Sequence, residues 1–587
     1  MIKKYKNIIF SVLLAFFYFL YSEIKLVIRY LKYLYIFFRK IIFFKYLFLK
    51  EKNFLILKDI FKKNILKINH EFNKKLVGKN NYKNGKILVT NLLEGKDHSI
   101  YNNIIGLNLS KILKKKPVAL INKYDFENEI FMRSYGIDKF YYLDNGNFFL
   151  RLKYFIQSIG LIGTITETDE LLKIRHDKIY IGKIVYDHYV RFSRIASVEK
   201  INPKFYFFLS KALLIHNFAK KLFKENSFNE MVQTESQFIP SCPLFQNALL
   251  NNCKVYTKIG VGNKFSVRIY DNFEDCYSNR HRFAKKLFNE VFDKHRKIAV
   301  QKGEEIIKNR FLGISGYSVD HDVEEGVIPI FREDDVGHYN ANYFTKKEIC
   351  EKFNWDEKKP IIMIFSVNLT DGIFTNSWRL YKDYLTWLRS TLNIIKDFQH
   401  INWLVKPHPD DEKYRVITNT KKEVKKISTK NKNVALFPKD SGMNHYLPKI
   451  ISAAITSSGS IGYEFPSLGI PTIICGESLY SGRGFNYEPQ SKQEYVEMLK
   501  NGDKLIFLNN EQKDKAKVFA YIYSVLAKIY SPLIPSNSGL RKKDEKKWWK
   551  ELEMLIENYS DNKDSFKKNF EIQLIKQDRH TINYDYL

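Results

Sequence analysis

From Lys86 onward the chain alternates short apolar runs with longer amphipathic stretches, and this alternation constrains its fold more than any other feature. Ile87-Leu88-Val89-Thr90 reads as a strand, residues 100–113 as a helix, and Val118-Ala119-Leu120-Ile121 as the next strand. Two parallel strands need a crossover of about a dozen residues or more, and a helix supplies it. The same grammar returns at Ile361-Ile362-Met363-Ile364-Phe365, followed by a helix over 378–398 and the strand Trp403-Leu404-Val405. Further strands are expected at 434–436, 453–455 and 472–474. Helices are expected at 148–158, 203–224, within 273–308 and at 544–559, with another strand near Val255. Repeated units of this kind build parallel sheets covered by helices, so the expected class is α/β.

Two segments of the second half fall where a buried strand hands over to a helix. One is Lys406-Pro407-His408-Pro409, and the other is Thr456-Ser457-Ser458-Gly459-Ser460-Ile461-Gly462-Tyr463-Glu464. In open α/β sheets that edge is where ligands bind. A Ser/Gly loop at a helix N-terminus brings N–H groups and hydroxyls to one point, which suits a phosphate. The first loop adds the imidazole of His408 and the cation of Lys406. Tyr480-Ser481-Gly482-Arg483-Gly484-Phe485 follows the next strand, and Arg483 offers a planar fork for phosphate or carboxylate. Glu464, inside the helix that the Ser/Gly loop opens, could accept both hydroxyls of a ribose. Each feature also has an ordinary reading: a capped loop histidine, an N-cap turn, or a first-turn acid favoured by the helix dipole. What favours a site is that all of them fall at strand ends of one expected sheet.

At 587 residues the chain is too long for one core. The expected layout is a basic aromatic region over 1–80, an α/β acceptor domain over 81–312 and an acidic linker over 313–340. A second α/β domain, binding the nucleotide, is expected over 341–540, with a crossing helix and polar tail over 541–587. Within the first region, residues 8–21 form an uncharged apolar run preceded by Lys3, Lys4 and Lys6. That run is shorter than the ~20 residues of a spanning helix, and no small-residue cleavage motif follows it. Apolar character continues with Lys25, Arg29, Lys32, Arg39 and Lys40 threaded through aromatics. A helix with cationic and aromatic faces lies in the headgroup plane and is drawn to anionic lipid. A signal anchor with snorkelling cations and a soluble helical hairpin are the other readings. The net charge of +32 agrees with anionic lipid or an anionic substrate, and no nucleic-acid module is recognisable. Five cysteines without CxxC spacing point to no zinc site, and no Asp-x-Asp occupies a strand-end loop of the second half.

The run from Asn402 to Pro409, then Ser457 to Glu464, Gly469-Ile470-Pro471-Thr472 and Tyr480 to Phe485, resembles bacterial capsule and surface-polysaccharide biosynthesis proteins related to Kdo-type capsule transferases. The His-Pro and Ser-Ser pairs are also similar to motifs of bacterial GT-B sialyltransferases, which use CMP-linked donors. The resemblance covers about residues 360–489 and continues into Ile181-Gly182-Lys183-Ile184-Val185-Tyr186-Asp187-His188. It implies a GT-B fold, two Rossmann-like domains facing a cleft, and transfer of a sugar from a nucleotide donor to a glycan or glycolipid. Donor-binding residues would be Lys406, His408, Pro409, Ser457, Ser458, Gly459, Ser460, Glu464 and Arg483, with no metal or other cofactor required. A general base must come from the first half: Asp97 or His98 after the first strand, Asp187 or His188, or Glu235. Asp371 is a further acid at a strand end. Expected location is the cytoplasmic face of the inner membrane, held by anionic lipid through the N-terminus. The competing functions are a CDP-alditol phosphotransferase, a non-catalytic scaffold with the same fold, and a UDP-sugar epimerase.

Overall fold

The computed structural model describes residues 10–28, 31, 82, 85–93, 96–123, 125–163, 165, 167–278, 282–311, 345–374, 380–408, 411, 415–438, 447–538 and 545–587. Twelve strands occur among them: β1 (Lys86–Asn91), β2 (Lys116–Asn122), β3 (Phe140–Leu143), β4 (Phe228–Val232), β5 (Lys254–Ile259), β6 (Lys264–Tyr270), β7 (Ile361–Phe365), β8 (Asn402–Lys406), β9 (Val434–Leu436), β10 (Ala453–Thr456), β11 (Thr472–Ile474) and β12 (Ile529–Tyr530). The helices that matter below are α1 (Phe10–Ile28), α2 (Lys96–Leu113), α3 (Phe148–Gly163), α4 (Ile181–Ser193), α5 (Pro203–Glu225), α6 (Arg296–Phe311), α7 (Tyr384–Ile395), α8 (Ile461–Ser467), α9 (Asn510–Tyr521), α10 (Glu545–Glu557) and α11 (Ser565–Lys576).

The strands form two sheets. One has the order β12-β6-β5-β4-β1-β2-β3 and the other β11-β10-β7-β8-β9. Every pairing in the second sheet is parallel, and the first is parallel from β5 to β3. Only β6 runs against the others, pairing antiparallel with β5 and with the edge strand β12. The central strands are buried along nearly their whole length. This is why their sequences are continuous apolar runs without alternation.

Each sheet reverses its winding once. In the first, β1 leads to β2 and β3 on one side, and the chain then returns to place β4 on the other side of β1. In the second, β7 leads to β8 and β9, and the chain returns to place β10 on the other side of β7. The crevice outside the strand carboxyl ends at such a reversal is the binding position in open α/β sheets. The first sheet's crevice is bounded by the segments after β1 and β4, the second's by those after β7 and β10.

Packing divides the chain differently from the expected boundaries. Phe283, Phe288, Val291, Ala299, Ile307 and Phe311 share a core with Ile361, Met363 and Ala454 of the second sheet. Residues 283–311, expected to close the first domain, therefore lie against the second sheet, because their apolar stripe faces β7 and α9. In the other direction β12 pairs with β6 before residue 540. Trp548, Trp549, Leu552 and Ile556 of α10 join a core with Ile87, Val89, Tyr256 and Val267. The expected polar tail after it is also corrected. Phe566 and Phe570 of α11 are buried in that same core, and Thr581 N donates to Val267 O at 2.9 Å. Two phenylalanines one helical turn apart made this segment a packing helix. The helix expected over 378–398 is Tyr384–Ile395, opened by Asp383, whose carboxylate accepts from Thr386 N at 2.7 Å. The acidic segment 313–340 lies outside the described residues, as does most of 1–80.

Candidate functional site

The second crevice holds most of the residues singled out from sequence. β8 ends at Lys406, and Pro407 and His408 follow it as a half-buried loop. Pro409 lies outside the described residues. β10 ends at Thr456. Ser457 is buried, whereas Ser458, Gly459 and Ser460 are half-buried and face the edge, and α8 begins directly after them. This second loop is tightly held: Gly459 N donates to Thr456 Oγ1 at 3.1 Å, and Tyr480 Oη donates to Gly459 O at 2.6 Å. Asn486 Nδ2 donates to Gly462 O at 2.7 Å. A Cβ on Gly462 would fall 1.9 Å from Tyr480 Oη, so only glycine lets the Tyr480 ring close beneath the loop.

A buried carboxylate positions the His408 loop. Asp411 N donates to His408 O at 3.0 Å, and Asp411 Oδ2 accepts from Thr420 N at 3.1 Å and Thr420 Oγ1 at 2.7 Å. Thr420 Oγ1 in turn lies 2.7 Å from Ser366 Oγ, directly after β7. Burial raises the Asp411 carboxyl, while the Thr420 bonds and the nearby His408 charge work against that rise. Asp411 thus joins the loops after β7 and β8.

Two expected donor contacts are engaged elsewhere. Glu464 is buried, and its Oε1 accepts from Arg310 Nε at 3.0 Å and Nη2 at 2.5 Å. This carboxylate holds a cation at the loop and is not an open pair of acceptors for ribose hydroxyls. Arg310 comes from α6, more than 150 positions away along the chain, and no local sequence pattern marks it. Arg483 is likewise buried. Its Nη2 donates to Phe283 O, its guanidinium lies 5.0 Å over the Phe288 ring, and burial pushes its pKa down to about 10. It braces the 283–288 segment and does not present a fork to the edge. Lys406 keeps its ammonium 5.5 Å over the Phe437 ring.

The first crevice gathers the candidates for proton transfer. Asp97 and His98 lie in the first turn of α2 and not in a loop. The Asp97 side chain is outside what the structure describes, and His98 is half-buried. One turn further, Asn102 Nδ2 donates to Thr90 O at 2.7 Å, and Asn102 Oδ1 accepts from Thr234 Oγ1. Positions four apart share a helix face, so His98 stands on the face turned to the segment after β4. Glu235 is in that segment, half-buried, with Oε1 accepting from Gln237 N at 2.7 Å. Asp371, in the exposed turn after β7, donates its N–H to Asn368 O at 3.2 Å and behaves as a turn residue.

Asp187 and His188 have another task. Asp187 is buried, and its carboxylate accepts from Ile373 N at 3.0 Å and from Phe374 N at 3.2 and 3.0 Å, in the segment after β7. Asp187, a candidate base from sequence, turns both oxygens to backbone N–H groups in the interior and holds the segment after β7. His188 Nδ1 accepts from Ile239 N at 3.2 Å, in the segment after β4. Burial pushes its pKa down to about 3, which keeps it neutral. Tyr186 Oη donates to Asp383 Oδ2 at 2.6 Å, at the start of α7. Three consecutive side chains of α4 therefore grip the segment after β4 on one side and the second sheet on the other. The two crevices are joined through one helical turn.

Among the described residues, one set of potential metal ligands lies within 4.8 Å: His176, Asp177 and His216. Asp177 Oδ2 accepts from Lys220 Nζ at 2.9 Å and from His216 Nε2 at 3.0 Å. Those two bonds lower its carboxyl to about 2. Asn247 Nδ2 donates to His216 Nδ1 at 2.9 Å, which leaves Nε2 carrying the proton. The Lys220 ammonium already supplies the cation, and the cluster belongs to neither crevice. All five cysteines are free and buried, and burial raises every thiol, Cys475 to about 12.

No protein-family model matches the chain, and no curated protein sequence matches it. Several solved structures align weakly. The KpsC beta Kdo 2,4 transferase of Thermosulfurimonas dismutans is 10% identical, over 52% of this chain and 82% of its own, with a TM-score of 0.28. The UDP-GlcNAc 2-epimerase of Neisseria meningitidis is 11% identical, over 75% and 97%, with a TM-score of 0.22. The trehalose 6-phosphate synthase of Burkholderia multivorans is 10% identical, over 81% and 98%, with a TM-score of 0.26. At these values none of them bears on what this chain does. The mixed α/β architecture with parallel sheets rests on its own strand order.

Proposed function

We propose that this protein is a GT-B-type glycosyltransferase that moves a sugar from a nucleotide donor to a growing surface polysaccharide or glycolipid. The observation that supports the reading is that the His408 and Ser457–Ser460 loops leave the same carboxyl edge of the second sheet, after β8 and β10 on either side of β7. One turn of α4 ties that edge to the corresponding crevice of the first sheet.

In this reading the donor's phosphate meets the Ser458 and Ser460 hydroxyls, the backbone around Gly459, and His408. Arg310, held by Glu464, and Lys406 add positive potential where negative charge builds on the leaving phosphate. His98 or Glu235 in the first crevice takes the proton from the acceptor hydroxyl as that oxygen attacks the anomeric carbon. The bond from that carbon to the phosphate oxygen breaks on the opposite face, so the configuration inverts, and the nucleotide leaves with the electron pair. A CMP-linked donor is the first choice. The N-terminal region holds the enzyme to anionic lipid at the cytoplasmic face of the inner membrane.

The direct test is transfer from candidate CMP-, CDP-, UDP- and GDP-sugars to a membrane glycolipid extract. We expect product with one donor class, and a loss of about 10²-fold or more in His408→Ala, the scale seen when one leaving-group stabiliser is removed. Unchanged polymer in cells carrying His408→Ala would favour a scaffold.

A further inference from the structure

Helix α3 stands out by its composition. Its sequence, Phe-Phe-Leu-Arg-Leu-Lys-Tyr-Phe-Ile-Gln-Ser-Ile-Gly-Leu-Ile-Gly, is apolar around the whole circumference apart from Arg151, Lys153, Gln157 and Ser158. A helix of that kind is buried in a core or meets lipid. Only one face is buried: Tyr154, Phe155, Ser158 and Ile162 enter the core that α4 and α5 share. The face opposite, spaced at three and four residues, consists of Phe149, Lys153, Ile156, Gly160 and Gly163, all exposed. Phe149 is 77% exposed and Ile156 60%.

Helix α1 lies along the same element. Ala15 and Phe19 are buried against it, Phe19 stacks on Phe155 at 5.0 Å, and the Glu23 carboxylate pairs with the Arg151 guanidinium. The outward stripe of α1 is Phe10, Leu13, Phe17, Tyr21, Ile24, Val27 and Ile28, again exposed. By length and composition α1 could cross a membrane. Its Glu23–Arg151 pair and its aromatic contacts instead fasten it lengthwise to a helix of the folded body. Together the two exposed stripes make up apolar surface of the kind that calls for a partner. Exposed cations sit within it: Lys25, 4.5 Å over the Tyr21 ring, and Lys153, 6.0 Å from the Tyr154 ring. Lysine stems laid on aromatics with the ammonium free to rise fit a headgroup layer, and the +32 net charge selects an anionic one.

We propose that α1 and α3 together form a bilayer-docking platform for anionic phospholipid. Both helices lie in the interfacial plane, with Phe149 and Ile156 inserted beside the α1 stripe. This rests on the membrane attachment proposed above and deepens it. The platform is part of the folded body, so docking sets the orientation of the first sheet relative to the membrane, which a flexible N-terminal tether would not do.

The test is cosedimentation of the full chain with vesicles of phosphatidylglycerol and phosphatidylethanolamine, against phosphatidylcholine alone. The variants are Phe149→Glu with Ile156→Glu, and Ile156→Gln alone in case the pair does not fold. The expected result is binding to anionic vesicles by the parent and at least about tenfold weaker binding by the paired variant at an unchanged melting temperature. For Ile156→Gln a smaller loss in the same direction is expected. Equal binding by parent and variants would overturn the platform while leaving N-terminal attachment standing. No binding by the parent would overturn both. A vesicle-independent dimer that the paired substitution dissociates would mean that a second copy covers this face, and would also overturn the proposal.

Discussion

Asp187 and His188 sit side by side on α4 and would suit proton transfer by chemistry alone, yet burial gives them to holding the two sheets together. Asp187→Ala would leave the Ile373 and Phe374 N–H groups without their acceptor, at about 1–3 kcal/mol for each buried orphan. We expect a lowered urea midpoint, and Asp187→Asn to recover part of it because an amide oxygen still accepts. Lost activity at unchanged stability would return Asp187 to the list of bases. His188 makes a separate claim about pH. Its folded pKa, about 3, lies below the ordinary 6.5, so the unfolded chain binds the extra proton first. Its contribution is complete above pH 6.5 and is lost as pH falls from there toward 3, by up to a few kcal/mol. Denaturation midpoints at pH 7.5 and pH 5 should therefore fall more steeply in the parent than in His188→Gln. Equal slopes would contradict the buried neutral imidazole. Neither role could be read from the sequence, because what distinguishes a base from a buried acceptor is which backbone comes to meet it.

At the scale of elements, β1, β2, β7, β8, β10 and β11 were legible from composition alone: they are apolar runs bounded by turns, which buried parallel strands require. The strands that escaped were β3, β4, β6 and β12. Phe140–Leu143 carries two half-exposed positions at the sheet edge, and Ile529–Tyr530 spans only two residues. Short edge strands carry little periodicity, and their pairing is set by partners far away in sequence. The Ser/Gly loop before α8 was legible because its glycines have no other use there. Gly462→Ala would drive a methyl into the Tyr480 hydroxyl and ring, with Cζ only 2.2 Å away. Overpacking of this kind costs about 1–3 kcal/mol or more, so a melting temperature several degrees lower is expected, together with loss of any nucleotide response. A fully stable Gly462→Ala protein would show that the loop is looser than its hydrogen bonds imply.

Across the whole molecule, the chain returns to its starting sheet: β12, α10 and α11 close over β6 and β1. Removing residues 541–587 should therefore expose Ile87, Val89 and Val267, and the first half should become the protease-sensitive one. Cleavage confined to the second half would contradict this packing. The crossing was visible in the apolar face of α10, with its Trp548-Trp549 pair, but its extent was not. Lys- and Asp-rich sequence around Phe566 and Phe570 hides their burial. The candidate site shows the same division. Its loops could be read from local chemistry, whereas Arg310, Asp411 and the α4 clamp join it through contacts set by tertiary packing. Nucleotide binding at the carboxyl edge of the second sheet is tested by a thermal-shift titration of the full chain with CMP, CDP, UDP and GDP, repeated on His408→Ala. A ligand bound only by the folded state raises the melting temperature by mass action. The expected result is a saturable rise with one nucleotide class, CMP first, that His408→Ala abolishes without lowering the unliganded melting temperature. No rise with any nucleotide, or an equal rise in the variant, would contradict it.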